Sequence, residues 1–125
     1  MKEVMIIVLL IFAEIVNRMT PGKFIEEQIT SRVLEQVPKA KIFLYGSRAR
    51  GEARDESDWD LLILIDTDRI TPQLEKSISD PLFDLEFETG IIISPMIYTI
   101  KDWYGKYSVT PIFMQINRDA KVLSA

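Results

Sequence analysis

The sequence contains neither cysteine nor histidine among its 125 residues. The lack of cysteine excludes a disulfide scaffold, a thiolate zinc site and a thiol nucleophile. The lack of histidine excludes Ser-His and Cys-His catalysis and imidazole-ligated metals. Any bound metal must therefore be held by oxygen ligands, which favours a hard cation such as Mg²⁺ or Mn²⁺.

Basic residues are also in the minority, with 15 Lys and Arg against 19 Asp and Glu and a formal net charge of −4. This balance argues against stable nucleic-acid binding by the chain alone, because such binding needs a basic face. The hydrophobic content of 47% is that of a globular protein. At this length the chain is expected to form one domain.

An apolar run opens the chain: residues 4–16 are apolar apart from Glu14. The run is shorter than the roughly 20 residues of a membrane-spanning helix, and no signal-peptide cleavage site follows it. Three interpretations stand: a helix that packs against something, a weak membrane anchor, or residues added by an upstream start, with Met19 as the natural one. We treat 1–19 as an apolar extension and 20–125 as one domain, cytoplasmic and without firm membrane association.

From Thr20 onwards the sequence predicts a small α/β domain. Thr20-Pro21 and Thr71-Pro72 are typical of helix N-caps followed by proline at the first helical position, and Pro38 ends the first of these helices. Apolar runs predict three strands, the second buried on both faces, at 42–45, 61–65 and 91–99. Shorter helical or irregular pieces are predicted at 101–106 and 111–116. Helices and strands in this order predict an α/β fold.

The helix that begins after Thr71 contains a proline. Because Pro81 cannot donate a backbone hydrogen bond, we expect the helix to restart at Asp80-Pro81 and to end at Gly90. If the restarted segment is helical, four of its residues are predicted to be core: Leu82, Phe83, Leu85 and Phe87.

The chemically informative residues lie in the stretch 45–66. Asp58 and Asp60 stand two apart at the start of an apolar strand, so both carboxylates should project from the same face. Adjacent carboxylates repel each other, and a divalent cation relieves that repulsion. Trp59 between them should point to the opposite face and pack in the core.

A polar loop, 46–57, precedes these aspartates. Glycine at Gly46 lets the backbone approach a ligand closely, and the amides and hydroxyl of Gly46-Ser47 can bind a phosphate. Arg48, Arg50 and Arg54 add guanidinium groups suited to phosphate oxygens. An isolated Asp-x-Asp would favour a simple polar turn, whereas its coupling to a strand-ending Gly-Ser favours a functional site.

The segment GSRARGEARDESDWDLLILID resembles the signature of minimal nucleotidyltransferases of the DNA polymerase beta superfamily, and the resemblance covers about residues 20–120. It implies a mixed sheet flanked by helices and transfer of a nucleoside monophosphate from a nucleoside triphosphate, with ATP expected, to a hydroxyl. The carried-over roles are metal ligation and catalysis by Asp58 and Asp60, with Mg²⁺ or Mn²⁺. Nucleotide binding falls to four loop residues: Gly46, Ser47, Arg48 and Arg50.

One departure from this family concerns a third carboxylate, which a later strand usually supplies. The corresponding strand here carries Ser94 and Pro95. If residues 81–88 were extended, Asp84, Glu86 and Glu88 would share one face and could supply the ligand. The helical alternative, in which these acids spread around the helix, is favoured by Asp80-Pro81 and Gly90.

Two functions from different classes follow. Small members of this family resemble antitoxins that pair with a HEPN-type RNase toxin, which implies a transferase that modifies such a partner. The alternative is a catalytically weak binding module that masks its partner. A polynucleotide polymerase is disfavoured by the acidic balance, and an aminoglycoside adenylyltransferase would need a further helical domain. The oligomeric state is open.

Overall fold

The structure is a computed structural model that describes residues 2–18, 20–54 and 57–125. Met19, the alternative start, lies outside the described residues. Within those ranges there are five helices and four strands. The helices are α1 (Lys2–Arg18), α2 (Pro21–Gln36), α3 (Pro72–Thr89), α4 (Ile100–Tyr104) and α5 (Pro111–Asp119). The strands are β1 (Lys41–Tyr45), β2 (Trp59–Ile65), β3 (Ile93–Thr99) and β4 (Lys121–Ser124).

The four strands form one mixed sheet in the order β3-β2-β1-β4. β1 pairs antiparallel with both β2 and β4, whereas β2 pairs in parallel with β3. The predicted α/β class with a small mixed sheet flanked by helices is therefore confirmed. β4 was not predicted: it is four residues long and pairs with a single neighbour in the described sheet.

One face of the sheet is covered by α2 and α3. Alternate strand residues point to this face, including Ile42 on β1 and Leu61 and Ile63 on β2. They pack against the apolar stripes of the two helices, whose fully buried members are Ile29, Val33, Ile78, Leu82 and Leu85. Trp59 belongs to this cluster, as the sequence predicted.

The other face of the sheet is covered by α4 and α5. Leu62 and Leu64 of β2 point to this face and pack with Trp103 and Ile116. Aromatic rings from β3 and the C-terminal helices complete the cluster, and the rings of Tyr98 and Trp103 stack with centroids 5.9 Å apart. β2 is thus buried on both faces, which explains its unbroken apolar sequence.

Threonine caps fix where the helices begin. At the start of α2, the Thr20 hydroxyl accepts a hydrogen bond from the backbone amide of Lys23. At the start of α3, the Thr71 hydroxyl accepts one from the amide of Leu74. Both predicted helix starts are confirmed. Thr99 and Thr110 cap α4 and α5 in the same way. Each hydroxyl satisfies a backbone donor that the helix itself leaves without an acceptor.

The predicted restart of the third helix is wrong, because α3 runs unbroken through Pro81. The missing backbone bond is offset by packing on both sides of the proline, where Ile78 and Leu82 are fully buried. The carbonyl of Pro81 also accepts a hydrogen bond of 3.2 Å from Arg32 Nη1 on α2. The predicted end is confirmed, since Gly90 caps the helix at φ +78°.

The placement of Phe83 and Phe87 in the core is also wrong. Phe83 is 65% exposed and Phe87 is 87% exposed, whereas Leu82 and Leu85 are buried. A helix turns by about 100° per residue. The face that buries Leu82 and Leu85 therefore directs the two phenylalanines to the outside of α3.

The apolar run at the start of the chain lies in α1. Every side chain from Val4 to Phe12 is more than half exposed. In the described residues no helix has the length and apolar content needed to cross a membrane. The division between 1–19 and 20–125 remains a prediction.

Candidate functional site

Three neighbouring strands place Tyr45, Asp60 and Ser94 in one row across the sheet. All three lie on the sheet face that carries Leu62 and Leu64, because side chains alternate along each strand. Asp58 stands just before β2, and Ser94 Oγ lies 3.5 Å from its Oδ2 as a long hydrogen-bond donor. The two aspartates therefore converge on one side of the sheet, next to the serine.

The backbone of Gly46 lies directly against the Asp60 carboxylate. Gly46 has φ +77°, a left-handed conformation that favours glycine. A Cβ atom built at this position would overlap Asp60 Oδ2. Glycine is therefore required here both by the backbone conformation and by the space that Asp60 occupies.

Beyond Gly46 the chain forms a series of tight turns. Arg50 N donates to Gly46 O at 3.2 Å, and Glu52 N donates to Ser47 O at 2.9 Å. Gly51 takes a second left-handed conformation, with φ +72°. Residues 55–56 of the predicted polar loop lie outside the described residues. The bonds from 46 to 52 hold Ser47 beside the end of β1.

Arg48 connects this loop to the start of β2. Its Nε and Nη2 donate to Ser57 O at 3.0 and 2.8 Å, and its guanidinium carbon lies 4.3 Å from the centroid of the Trp59 ring. Stacking on an indole and a forked pair of bonds suit the planar guanidinium. Arg48 therefore anchors the loop, a role that the sequence did not reveal.

Arg50 acts on two nearby carboxylates through its charge. Its Nε donates to Glu52 Oε2 at 3.1 Å. Its positive charge partly opposes the rise in the pKa of Asp60. The hydrogen bond from Arg118 is the main cause that lowers the pKa of Asp119, and the charge of Arg50 adds to it. Asp119 ends α5 and is held by both Arg118 Nε and Nη2. The sequence did not single out Asp119, since only the folded chain brings the end of α5 within range of Arg50.

Burial raises the pKa of Asp60 above its ordinary value of 3.8, and the neighbouring Asp58 carboxylate raises it further. Arg50 opposes these two effects. Burial also raises the pKa of Tyr45, followed by the charges of Asp60 and Tyr98. Tyr45 therefore presents a neutral phenol next to Asp60. Its place immediately before Gly46-Ser47 was the available signal for this position.

Ser94 occupies the strand position beside Asp60 where the resemblance calls for a third carboxylate. Across residues 2–18, 20–54 and 57–125 no group of three acidic side chains could hold a metal ion. Glu88, one of the alternatives, is bound to Arg32 at 2.7 Å. The helical alternative for 81–88 is the observed one, so these acids do not share a face as they would in a strand.

The donors present nonetheless suit a hard cation. Asp58, Asp60 and Ser94 offer oxygen atoms only, and Mg²⁺ typically takes one or two carboxylates together with water and substrate phosphates. The raised pKa of Asp60 is the kind of electrostatic penalty that a bound cation would remove. Asp58 and Asp60 are therefore the residues that would hold such an ion.

The chain belongs to the nucleotidyltransferase domain family, whose model matches residues 26–109. The fold is similar to a solved toxin–antitoxin structure with AMP-PNP, at 19% identity and a TM-score of 0.57 over 80% of this chain and 73% of that chain. It is also similar to a mutant toxin–antitoxin MntA-HpeT, at 17% identity and a TM-score of 0.58 with the same coverage. No protein with a curated description matches the sequence.

Replacing Gly46 by alanine should displace Asp60 and abolish cation binding. The new methyl group would meet Asp60 Oδ2 in addition to the left-handed backbone cost of about 1–2 kcal/mol. Gly51→Ala is the matched control, because it has a similar φ but open space around the added Cβ. Thermal unfolding and Mn²⁺ titration of both variants would measure the two effects. Equal loss of Mn²⁺ binding in both would contradict the role assigned to Gly46.

Asp60→Asn should raise the free energy of unfolding at neutral pH when EDTA is present. Because the pKa of Asp60 is raised in the folded state, its protonated form is compatible with folding and its ionised form opposes folding. The contribution of Asp60 to stability is therefore full below its ordinary pKa and is lost as pH rises through the folded-state pKa. The advantage of the asparagine variant should therefore shrink as pH falls to about 4 and below. Denaturant unfolding at several pH values tests this, with Asp66→Asn as a control at the exposed far end of β2. A pH-independent difference would be inconsistent with this assignment.

Proposed function

We propose that this protein is a Mg²⁺-dependent nucleotidyltransferase that moves a nucleoside monophosphate, from ATP in the first instance, to a hydroxyl of a partner protein such as a HEPN-type RNase toxin. In this reaction the acceptor oxygen bonds to the α-phosphorus while the bond to the β-phosphate bridge breaks. Pyrophosphate and a proton are released. Membership of the nucleotidyltransferase domain family supports the reaction class.

The observation that carries the proposal is the placement of Asp60 against Gly46, with Asp58 on the same side. The carboxylate offers a ligand for the cation, and the glycine turn offers backbone amides for the phosphates. Because the two are in contact, a cation and its phosphates could bind side by side. Antiparallel pairing of β1 and β2 brings these two parts of the signature next to each other.

The residues have separate proposed roles. Asp58 and Asp60 hold the cation, and Gly46 and Ser47 bind the triphosphate through backbone amides and the hydroxyl. Arg50, whose charge already acts on Asp60, neutralises phosphate oxygens. Arg48 maintains the loop through Ser57 and Trp59, and contact of its guanidinium with the phosphates is part of the proposal. When bound, the cation supplies charge neutralisation and alignment of the phosphates.

The lack of histidine is compatible with this chemistry. Phosphoryl and nucleotidyl transfer depend mostly on positioning and on stabilising charge, with little covalent work by side chains. Because the donors are carboxylates, protons compete with the cation. The raised pKa of Asp60 shifts this competition to higher pH than for an aspartate with the ordinary pKa.

Asp58→Asn should abolish metal-dependent transfer of label from α-phosphate-labelled ATP, because it removes a ligand from a site with two carboxylates. The acceptors offered are total proteins of the native cell, with Mg²⁺ or with EDTA. Asp66→Asn removes a carboxylate at the other end of β2, about 26 Å from Asp58 at 3.3 Å per residue, and should keep full transfer.

A labelled protein that requires Mg²⁺ and Asp58, and not Asp66, would support the transferase and give its acceptor. Labelling that survives Asp58→Asn would reject the assigned site. If no protein is labelled while calorimetry still detects Mg-ATP binding, the transferase proposal fails in favour of the second candidate.

The second candidate is a binding module that masks its partner, and the serine at position 94 favours it. Ser94 lies beside Asp60 in the parallel β2–β3 register, where a third carboxylate would complete the cation site. A hydroxyl at this place carries no charge, so it neither binds a second cation strongly nor accepts a proton at neutral pH.

Ser94→Asp should distinguish the two candidates by adding the third carboxylate next to the first two. If the wild type is a weak catalyst, the variant should bind Mn²⁺ more tightly and transfer label at least tenfold faster. Ser108→Asp, an exchange of the same kind outside the site, is the control. If wild-type transfer is already fast and Ser94→Asp slows it, the masking candidate is contradicted.

A further inference from the structure

The outer face of α3 carries an aromatic pair that no other part of the described chain covers. Phe83 and Phe87 are one helical turn apart, and both rings point away from the buried residues Ile78, Leu82 and Leu85. Phe87 is 87% exposed. Two neighbouring exposed phenyl rings are costly to keep in water, and such patches mark interaction sites.

Acidic side chains share this face with the aromatic pair. Asp80 and Asp84 lie at helical spacing with Phe83 and Phe87, so the four form one stripe, which we call the α3 stripe. Both aspartates are exposed, and neither makes an ion pair with a described residue. The stripe therefore presents two exposed phenyl rings beside two carboxylates that have no ion-pair partner among the described residues.

Nearby cations do not neutralise the stripe. Arg32, which reaches α3 from α2, is committed to Glu88 at 2.7 Å and to the Pro81 carbonyl. Lys76 lies one turn before Asp80 and is exposed, but its ammonium group makes no ion pair with Asp80. Asp80 and Asp84 are therefore left without an ion-pair partner among the described residues.

This charge pattern argues against self-association through the same face. In a two-fold contact the α3 stripe would meet its own copy, which would bring Asp80 and Asp84 against like charges. The net charge of −4 adds to that repulsion. A complementary occupant would instead present an apolar surface flanked by lysine or arginine.

We infer that the α3 stripe is the docking face for a partner protein that has an apolar helix surface bordered by basic residues. Phe83 and Phe87 serve as the anchors, because aromatic side chains that fill a partner's pocket contribute most to binding. Asp80 and Asp84 pair with the basic border and select against acidic partners.

The stripe and the aspartate site lie on opposite sides of the sheet, since α3 covers the face that Asp60 does not use. Docking on α3 therefore leaves the Asp58–Asp60 side open. The inference does not rest on nucleotidyl transfer: Asp58→Asn should leave docking unchanged, and loss of docking should leave nucleotide binding unchanged.

The test uses the full chain and a defined probe, an 18-residue amphipathic peptide with leucines on one face and lysines at its borders. We expect NMR amide shifts in α3, and binding by fluorescence anisotropy that weakens at high salt. Phe83→Ser with Phe87→Ser, and separately Asp80→Asn with Asp84→Asn, should each weaken binding at least tenfold, about 1.4 kcal/mol.

The controls separate docking from folding and from net charge. Asp66→Asn with Asp68→Asn removes the same charge from an exposed loop and should keep binding. The phenylalanine variant should melt at the wild-type temperature, because both rings are exposed. Unchanged affinity in both stripe variants, equal binding of a leucine–glutamate peptide, or shifts confined to α1 would overturn the inference. So would a wild-type dimer that the phenylalanine variant dissociates.

Discussion

The contact between the Gly46 backbone and the Asp60 carboxylate is the constraint on which the rest of the site depends. It requires β1 and β2 to pair so that Tyr45 lies opposite Asp60, which leaves Gly46 just beyond the paired end. It requires a residue without a side chain at a left-handed turn. The turns after Gly46 and the bonds of Arg48 to Ser57 then direct the loop back to the start of β2.

Holding two carboxylates beside an apolar sheet opposes folding, as the raised pKa of Asp60 indicates. The fold tolerates this because the rest of β2 is buried on both faces, from Leu61 to Ile65. Each fully buried aliphatic side chain contributes about 1.5–3 kcal/mol by leaving water. The strand that carries the polar site is thus also the centre of both apolar clusters. Burial of its middle residues offsets the unfavourable electrostatics at its start.

Local patterns predicted much of this arrangement. The Thr-Pro starts of α2 and α3, the apolar β2 and the pairing of Gly-Ser with Asp-x-Asp are properties of neighbouring residues, and the sequence displays them directly. Continuity of α3 through Pro81 depends on packing and on Arg32, far away in the chain. β4 forms by pairing with the free edge of β1, which is distant in the sequence. Arg48 was assigned from charge alone, whereas its contacts with Ser57 and Trp59 arise only on folding. Phe83 and Phe87 could have been assigned correctly from helical phase.

The sheet itself has a consequence for how such a protein can diversify. It separates the molecule into two sides: one bears the polar residues and is covered by α4 and α5, and the other is covered by α2 and α3. Exchanges on the outward surface of α3 do not touch the side chains around Asp60. Lineages could therefore change the partner that the outer surface of this helix recognises, while the chemistry of the opposite side stays under its own selection.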